Sequence, residues 1–470
     1  MQLHSRELSA DCDTPLSVFS RIYQDGQCFL FESAEGGEHW GRYSILGFDP
    51  ATIVTEQDKD LVLKHRNGEQ TRLNETDMLA WLRQEIIQAN SIDADDLPFS
   101  GGAVGYFSYE MVQRFECLQS RHIQKNAHTA FMVIDRFIVF DNLRGCMRLC
   151  VLHDGEAFEA KLLLDDIQQV LDRQVRSHPL RLNMNPPAQK TPQAESSQAD
   201  YEAMVLAAKE YILAGDVFQV VLSQRFSSEL KADPLNIYRA VRHINPSPYL
   251  FYMHIQETIL VGSSPEILVR KERNKAIVRP IAGTRPRGKN STEDLALEQE
   301  LLADEKERAE HVMLVDLGRN DLGRVCQYGS VTLTESMQVE RYSHVMHIVS
   351  QVEGQLNADV DALDLLAATF PAGTVSGAPK IRAMQIIDEL EGSARGPYAG
   401  AIGYFSFGGH FMDTAITIRT AVIRDGRVWI QAGAGIVADS QPSMEHQECV
   451  NKATAMFKAV SLAEQQEQSQ

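Results

Sequence analysis

Residues 280–288 read Pro-Ile-Ala-Gly-Thr-Arg-Pro-Arg-Gly and continue a strand-like run at 276–281. Two comparable stretches lie further along the chain, Phe-Pro-Ala-Gly-Thr-Val-Ser-Gly-Ala-Pro-Lys at 370–380 and Gln-Ala-Gly-Ala-Gly at 431–435. Because glycine has no side chain, each loop can bring backbone N–H groups close to a carboxylate. Each loop alone is also consistent with an ordinary turn, whereas three together favour an anion-binding pocket.

Arg419, on a strand-like run at 415–422, adds a positive charge to this set. A planar guanidinium holds a carboxylate with two parallel hydrogen bonds. The loops and Arg419 together predict a pocket for a substrate that carries more than one carboxylate.

The segment Gly283–Lys289 also matches the first part of a nucleotide-binding P-loop. Asn290 stands where Ser or Thr would bind Mg²⁺, and Pro286 interrupts the loop. No Gly-x-Gly-x-x-Gly motif follows a strand either, so the sequence does not support a nucleotide site.

Two pairs of glutamates lie in helical stretches at 295–317 and 443–462, Glu307 with Glu310 and Glu445 with Glu448. Residues three apart share one face of a helix, so each pair projects two carboxylates in the same direction. A solvated acidic face is the plainer interpretation of one such pair. Two pairs near glycine-rich loops offer the oxygen ligands that Mg²⁺ prefers, while no His/Cys cluster has the spacing of a Zn²⁺ site.

The composition excludes several classes of protein. Asp and Glu total 64 and Lys and Arg total 45, so the net charge of −19 disfavours nucleic acid as a partner. No apolar run approaches the roughly 18 residues of a membrane span. The seven cysteines are scattered without a Cys-x-x-Cys pair, which predicts a cytoplasmic location.

A stretch with four prolines divides the chain of 470 residues. We expect an N-terminal domain over 1–176, a linker over 177–200 with its boundary near residue 190, a second domain over 201–464 and a C-terminal tail over 465–470. Gly102–Tyr109 and Gly400–Phe407 have similar sequences. They are either a chance recurrence or equivalent strands that meet at a domain interface.

Five motifs resemble those of the chorismate-utilising enzymes, and most closely the large subunits of anthranilate synthases. The motifs cover 280–288, 304–311, 314–321, 373–380 and 431–437. The resemblance implies an α+β fold with a mostly antiparallel β-sandwich core flanked by helices, and a smaller N-terminal α+β regulatory portion.

The resemblance also implies which residues form the site. Mg²⁺ would be held directly by Glu310 and Glu448 and through water by Glu307 and Glu445. The ring side of chorismate and its pyruvyl carboxylate would be contacted by Gly283, Thr284, Thr374, Tyr398, Arg419, Gly433, Ala434 and Gly435.

The implied reaction begins with addition of ammonia at ring C2 as the C4 hydroxyl leaves, with Glu266 as the acid. Loss of pyruvate then gives anthranilate, and His347 resembles the histidine of this step. His344 and His347 together would also suit a metal, although an acid/base or core role is favoured. Lys452 resembles the active-site lysine of the family.

Two positions distinguish related reactions. Hydroxylating relatives carry Lys where this chain has Gln219, and glutamine cannot deprotonate water. Aminodeoxychorismate synthases commonly carry a nucleophilic Lys where this chain has Ala282. Anthranilate synthesis is therefore favoured. Aminodeoxychorismate synthesis is the second hypothesis, and a non-enzymatic amino-acid-binding module is the third.

Three segments resemble the tryptophan feedback site of anthranilate synthases, at 29–33, 41–44 and 245–250. The residues implied to bind tryptophan are Glu32, Ser33, Pro248, Tyr249 and Leu250. They are alternatively ordinary core strands. Because the chain has no glutamine-amidotransferase motif, we expect it to use free ammonia alone, and glutamine in a hetero-oligomer with a separate amidotransferase subunit.

Overall fold

The computed structural model describes residues 1–33, 41–57, 60–92, 94, 97–116, 118, 121–122, 129–173, 180, 192–342 and 345–468. Within these residues, strands form two sheets of 12 strands each, and every strand pair in both sheets is antiparallel. In the same described ranges, eleven helices pack around the sheets. The predicted α+β fold with an antiparallel sandwich core is confirmed.

The first sheet contains strands from both ends of the chain. Its members are β1 (Gln2–Ser9), β2 (Cys28–Glu32), β3 (Tyr43–Phe48), β9 (Arg136–Asp141), β10 (Cys146–His153), β11 (Gln193–Ala194), β12 (Gln219–Glu229), β13 (Tyr249–Ile255), β14 (Thr258–Ser264), β20 (Gly377–Ala378), β23 (Thr420–Arg424) and β24 (Arg427–Ile436). Their order is β1-β10-β9-β3-β2-β13-β14-β23-β24-β12-β11, with β20 paired to β12.

The second sheet is similarly mixed. Its members are β4 (Thr52–Gln57), β5 (Asp60–His65), β6 (Gln70–Leu73), β7 (Gly102–Phe107), β8 (Ala130–Ile134), β15 (Ile267–Glu272), β16 (Lys275–Val278), β17 (Ile281–Pro286), β18 (Thr332–Arg341), β19 (Val345–Gln355), β21 (Ala401–Ser406) and β22 (Phe411–Ile416). Their order is β17-β19-β16-β15-β22-β21-β7-β8-β4-β5-β6, with β18 paired to β19.

The helices lie between and outside these strands. They are α1 (Pro15–Phe19), α2 (Met78–Leu82), α3 (Val112–Phe115), α4 (Ala157–Leu171), α5 (Gln198–Leu213), α6 (Pro234–Ile244), α7 (Ser291–Ala303), α8 (Glu305–Gly323), α9 (Ala362–Thr369), α10 (Lys380–Leu390) and α11 (Pro442–Gln468). None of them, over the ranges described above, is both long and apolar enough to cross a membrane.

The N-terminal portion supplies one end of each sheet, and the later portion supplies the other end. The two portions join where β2 pairs with β13 and where β7 pairs with β21. The second pair unites the two similar sequences, with Gly105 directly opposite Gly403. A Cβ at Gly105 would lie 2.1 Å from the carbonyl oxygen of Ala130, so only glycine fits this close backbone contact.

The proposed division into domains stays a prediction. Residues 174–179 and 181–191, most of the predicted linker, lie outside the described residues. Gln193–Ala194 pairs with β12, and α5 begins at Gln198. The last helix continues past the predicted boundary at residue 464 to Gln468, because its Gln- and Glu-rich end favours helix and the Glu464 side chain accepts a hydrogen bond from the Lys231 amide at 3.2 Å.

Two predicted elements are interrupted. The strand-like run at 131–140 forms β8 and β9, which belong to different sheets because the chain crosses between them at Asp135. The helical stretch at 295–317 forms α7 and α8. The break lies at Asp304, whose carboxylate accepts hydrogen bonds from the amides of Lys306 at 3.0 Å and Glu307 at 3.2 Å and so caps the second helix.

Two layers of apolar packing hold these elements together. One lies between the two sheets and includes Phe29, Phe107 and Phe131. The other lies between the first sheet and helices α4, α6 and α11, and it includes Tyr238 and Phe457. Burial of each such side chain contributes about 1.5–3 kcal/mol. This packing fixes the points at which the chain crosses from one sheet to the other, and the candidate site lies at two of these crossing points.

Candidate active site

Glu266 and Arg419 occupy two neighbouring points where the chain changes sheets. Glu266 lies between β14 of the first sheet and β15 of the second, and Arg419 lies between β22 of the second and β23 of the first. The amide of Ile416 donates to the Glu266 carbonyl at 3.1 Å, and the amide of Ser263 donates to the Arg419 carbonyl at 3.2 Å. The two crossings are thereby tied together.

The predicted strand position of Arg419 is wrong. Arg419 has a φ of 48°, a left-handed backbone conformation that costs a non-glycine residue about 1–3 kcal/mol. The chain turns there because residues 417–419 must pass from one sheet to the other. This turn places the Arg419 side chain close enough to Glu266 for their charges to interact.

Glu266 is a buried acid with a hydroxyl partner. The Thr374 Oγ1 donates to its two carboxylate oxygens at 3.0 and 3.1 Å. Burial raises the pKa of Glu266 to about 8, although the Thr374 hydrogen bond and the charge of Arg419 act in the opposite direction. The carboxyl group therefore holds a proton at neutral pH and can deliver it to a substrate.

The Arg419 guanidinium is available to a ligand. Burial lowers its pKa, but arginine still keeps its proton in proteins. Over the described ranges, its side chain neither donates a hydrogen bond to the protein nor forms an ion pair within 4.0 Å. A half-buried guanidinium that is unpaired over the described residues is suited to a carboxylate of the substrate.

His347 on β19 lies opposite Thr284 on β17. Its Nδ1 is 2.9 Å from the carbonyl oxygen of Gly283 and 3.1 Å from the Thr284 hydroxyl. Since a carbonyl only accepts hydrogen bonds, we assign the proton to Nδ1, which leaves the lone pair on Nε2. Burial lowers the pKa of His347, so the ring is neutral and can accept a proton. His344 lies outside the described residues.

Gly433, Ala434 and Gly435 lie on β24, which pairs with β12. A Cβ at Gly433 would lie 2.7 Å from the Tyr398 hydroxyl oxygen. A Cβ at Gly435 would lie 2.4 Å from the amide nitrogen of Gln219. Gly433 is required because a Cβ there would also lie 2.9 Å from the Leu222 carbonyl oxygen, whereas at Gly435 the flexible Gln219 side chain could move aside. The resulting surface presents a hydroxyl and an amide to a ligand.

Lys452 connects this surface to the glutamates. Its ammonium donates to the Gly433 carbonyl at 2.8 Å and pairs with Glu448 at 2.7 Å. The Lys452 side chain is 51% exposed, so the pair itself contributes little to stability. Its importance is positional, because it joins α11 to the glycine-rich strand.

The four predicted metal ligands lie on α8 and α11. Burial raises the pKa of Glu310, and the negative charges of Glu307 and Glu448 raise it further. Burial and the charge of Glu448 likewise raise the pKa of Glu445. The two helices therefore bring negatively charged carboxylates near one another. Carboxylate oxygens are typical ligands of a divalent cation. Among the residues that the structure describes, no three such side chains are close enough together to hold a metal as they stand.

A cavity of about 340 Å³, separate from the residues described so far, lies at the join of the two portions. It is lined by all five residues predicted to bind tryptophan, Glu32, Ser33, Pro248, Tyr249 and Leu250. The Glu32 carboxylate is buried, accepts a hydrogen bond from the Tyr238 hydroxyl and lies 3.3 Å from the Arg242 guanidinium. A buried carboxylate beside an aromatic-lined cavity suits a small amphipathic cation.

A family model described as chorismate binding enzyme matches residues 26–458. The chain belongs to the chorismate-binding enzymes. It is 49% identical to anthranilate synthase component 1 of Pseudomonas putida, an alignment that covers 98% of this chain and 95% of that protein. It is 47% identical to the protein of the same name from Aquifex aeolicus, with 98% and 95% covered. The predicted family, and the prediction that the chain is an enzyme, are confirmed.

Solved structures of chorismate-binding enzymes share the fold. Anthranilate synthase component I from Streptococcus pneumoniae superposes with a TM-score of 0.78 at 38% identity, covering 90% of this chain and 95% of that one. The menaquinone-specific isochorismate synthase of Escherichia coli superposes with a TM-score of 0.70 at 20% identity, covering 97% and 94%. The second comparison supports the fold alone.

The site residues that were predicted from the sequence form two groups in the structure. One contains Glu266, Thr374, Arg419, His347 and Thr284. The other contains the glycine strand, Tyr398, Lys452 and the four glutamates. Two residues were missed: Tyr342, whose ring lies 5.4 Å from that of His347, and Arg395, which stacks on Tyr398. The sequence contained one indication of Arg395, its i,i+4 spacing from Glu391, which allows the two side chains to pair.

Proposed function

We propose that this chain is the chorismate-aminating subunit of an anthranilate synthase, which converts chorismate and ammonia to anthranilate, pyruvate and water. The observation that carries the proposal is the group formed by a protonated Glu266, an unpaired Arg419 and a neutral His347. An acid, an anion-binding fork and a base are the three functions that this reaction requires.

In the first step, ammonia forms a bond to ring C2 and the C4–O bond breaks. Glu266 donates its proton to the departing hydroxyl, which leaves as water. The Thr374 hydroxyl holds the carboxyl group in position through its 3.0 Å hydrogen bond. The pKa of about 8 keeps Glu266 protonated at neutral pH, which supports this role.

In the second step, the ring loses the hydrogen at C2 and the enolpyruvyl group leaves as pyruvate. The Nε2 lone pair of His347 takes the C2 proton, while the Gly283 carbonyl fixes the ring orientation through Nδ1. Arg419, Tyr398 and the Gly433–Gly435 strand hold the pyruvyl carboxylate. Loss of pyruvate makes the ring aromatic, which drives the step.

The acidic face on α8 and α11 supports a requirement for Mg²⁺. Glu310 and Glu448 would bind the ion, with Glu307 and Glu445 in supporting positions, and its charge would neutralise the ring carboxylate of chorismate. Burial is the main cause of the raised pKa values of Glu310 and Glu445, and neighbouring glutamates raise them further; a bound divalent cation would offset both effects.

Ammonia would be used directly by the isolated chain. Glutamine would be used only together with a separate amidotransferase subunit in a hetero-oligomer, as the name component 1 of the relatives suggests. One feature favours anthranilate over aminodeoxychorismate as the product: Ala282 has no nucleophilic group. The Gln219 amide, which forms a hydrogen bond with Glu310, cannot act as a base and so disfavours the hydroxylating reaction.

The cavity at the join of the two portions supports feedback inhibition by tryptophan. Glu32 would pair with the ammonium group of the amino acid, and the Pro248–Leu250 segment would frame the indole ring. Tyr249 and Leu250 pair across β13 and β14 with Ser264 and Ser263, which lie two and three residues before Glu266. A change at the effector cavity would therefore reach the catalytic acid through one strand pair.

The purified chain, incubated with chorismate, Mg²⁺ and ammonium at alkaline pH, tests the proposal. Anthranilate fluorescence together with an equal yield of pyruvate, both abolished by EDTA, is the expected result. Consumption of chorismate without pyruvate would contradict it and would favour the aminodeoxychorismate reaction. The third hypothesis, a non-enzymatic binding module, requires that chorismate is not consumed at all.

A further inference from the structure

We propose that the buried pair Arg395–Glu391 is a positioning device that sets the geometry of the active site without touching the substrate. The proposal rests on the proposed function. Arg395 is 1% exposed and Glu391 is 6% exposed, and the two side chains form two hydrogen bonds of 2.7 and 2.9 Å. A buried charge pair is costly unless its remaining donors and acceptors are satisfied.

The remaining donors of Arg395 reach two segments of the active site. Its Nη1 donates to the Val375 carbonyl at 2.7 Å, and its Nη2 donates to the Val221 carbonyl at 2.8 Å. Val375 follows Thr374, which orients the catalytic acid. Val221 lies opposite Gly435 in the strand pair β12–β24. One planar guanidinium therefore fixes the distance between the Thr374 turn and the glycine strand.

Glu391 extends the same contact along β12. Its carboxylate accepts hydrogen bonds from the amide of Ser223 at 2.8 Å and from the Ser223 hydroxyl at 2.9 Å. Ser223 lies opposite Gly433. The pair thus holds both ends of the Gly433–Gly435 segment.

The aromatic contacts of Arg395 add a third segment. Its guanidinium carbon lies 5.6 Å from the ring centre of Tyr398 and 4.7 Å from that of Tyr109. Tyr109 belongs to the N-terminal portion, and its amide donates to the Gly396 carbonyl at 2.8 Å. The neighbouring Glu110 accepts from the Arg395 amide at 2.7 Å. The N-terminal portion therefore holds the loop that carries Tyr398.

These contacts predict a specific defect in Arg395→Lys. Lysine keeps the charge beside Glu391, but a single ammonium cannot reproduce the planar fork toward both carbonyls. We expect kcat/KM for chorismate to fall on the order of 100-fold, with a rise in KM, because small displacements of catalytic groups have effects of this size. The Thr374–Glu266 hydrogen bond should loosen as well.

The pH profile separates positioning from stability. The Thr374 hydrogen bond lowers the pKa of Glu266, so its loss raises that pKa and moves the alkaline fall of kcat to higher pH. Arg395→Lys should shift the alkaline fall of kcat to higher pH, as Thr374→Val should. The matched control is Arg382→Lys on α10, where arginine pairs with Asp216 at a partly exposed position; its kinetics should stay within about twofold of wild type.

Calorimetry of chorismate binding in the absence of ammonium tests the positioning role separately from the proposed function. If wild-type protein binds chorismate but yields no anthranilate, the proposed function fails, and the affinity of the variants still tests the device. If Arg395→Lys does not fold, the double variant Arg395→Met/Glu391→Met, which removes both buried charges, takes its place. Unchanged affinity, kinetics and pH limb in a folded variant would overturn the proposal.

Discussion

At the scale of single residues, Glu266, the proposed catalytic acid, should determine the response of the reaction to pH. Its pKa of about 8 means that the acid form is lost as pH rises through that value, so kcat should fall there. Glu266→Gln should lower kcat by about 10²- to 10⁴-fold and abolish this limb. Steady-state kinetics between pH 6 and 10 measure both effects. If kcat of Glu266→Gln still fell at alkaline pH, another group would be responsible for the pH dependence.

The same residue predicts the pH dependence of stability. In the unfolded chain Glu266 takes its ordinary pKa of 4.5, so between about 4.5 and 8 the folded state holds the additional proton. The stabilisation from the protonated acid is complete below 4.5 and is lost as pH rises toward 8. Urea unfolding of wild type and Glu266→Gln should show a smaller decline in the free energy of unfolding for the variant over this window.

His347 should separate the two steps. His347→Gln keeps a hydrogen-bond donor for the Gly283 carbonyl but removes the basic Nε2, so the first step should continue and the second should slow by about 10²-fold or more. Chromatography of the reaction mixture should show an aminated intermediate that retains its enolpyruvyl group. Equal slowing of chorismate loss and anthranilate formation would contradict this assignment.

Gly433 is required for a steric reason that can be tested by compensation. Gly433→Ala places a Cβ 2.7 Å from the Tyr398 hydroxyl, so the tyrosine must move and KM for chorismate should rise about tenfold, equivalent to about 1.4 kcal/mol of lost binding. Tyr398→Phe removes this contact, while the Leu222 carbonyl oxygen remains 2.9 Å from the added Cβ. Gly433→Ala/Tyr398→Phe should therefore recover part of the loss, and its defect should be smaller than the sum of the two single changes.

At the scale of secondary structure elements, helices α8 and α11 bring carboxylates together from distant parts of the chain. Glu310→Gln should weaken Mg²⁺ binding by more than about 100-fold, and Glu445→Gln by about 10- to 100-fold. Calorimetric titration with Mg²⁺ in the presence of chorismate measures both. Without metal the same changes should slightly stabilise the fold, because each removes a carboxylate whose pKa is raised by burial and by a neighbouring glutamate. Equal affinities would exclude the two helices as the metal site.

The motifs predicted which residues meet, while the paths between them depended on contacts that local sequence does not contain. The pairing of β7 with β21 was one of the two alternatives that the similar Gly-Tyr-Phe sequences left open. The backbone turn at Arg419 did not, because the strand-like residues around it continue without a Gly or Pro to mark the crossing. Arg395 gave little signal for a related reason: its partners Val375 and Val221 offer only backbone carbonyls, which every residue has.

At the scale of the whole molecule, the two portions share both sheets, and the cavity proposed to bind tryptophan lies at their join. Glu32→Gln should raise the tryptophan concentration for half-inhibition by about 10- to 100-fold, because the amide cannot pair with an ammonium group and leaves it desolvated. The readout is the ratio of activities with and without tryptophan. Sensitivity equal to that of wild type would place the effector elsewhere.

The paired crossings at Glu266 and Arg419 also constrain how the protein is made. The hydrogen bond between residues 266 and 416 closes a long stretch of chain, and β24 pairs with β12 although the two strands lie far apart in the sequence. Pairings so distant along the chain form slowly. A ribosome-bound chain is therefore expected to have no working site until β24 has emerged, so that products terminated before β24 should be inert toward chorismate.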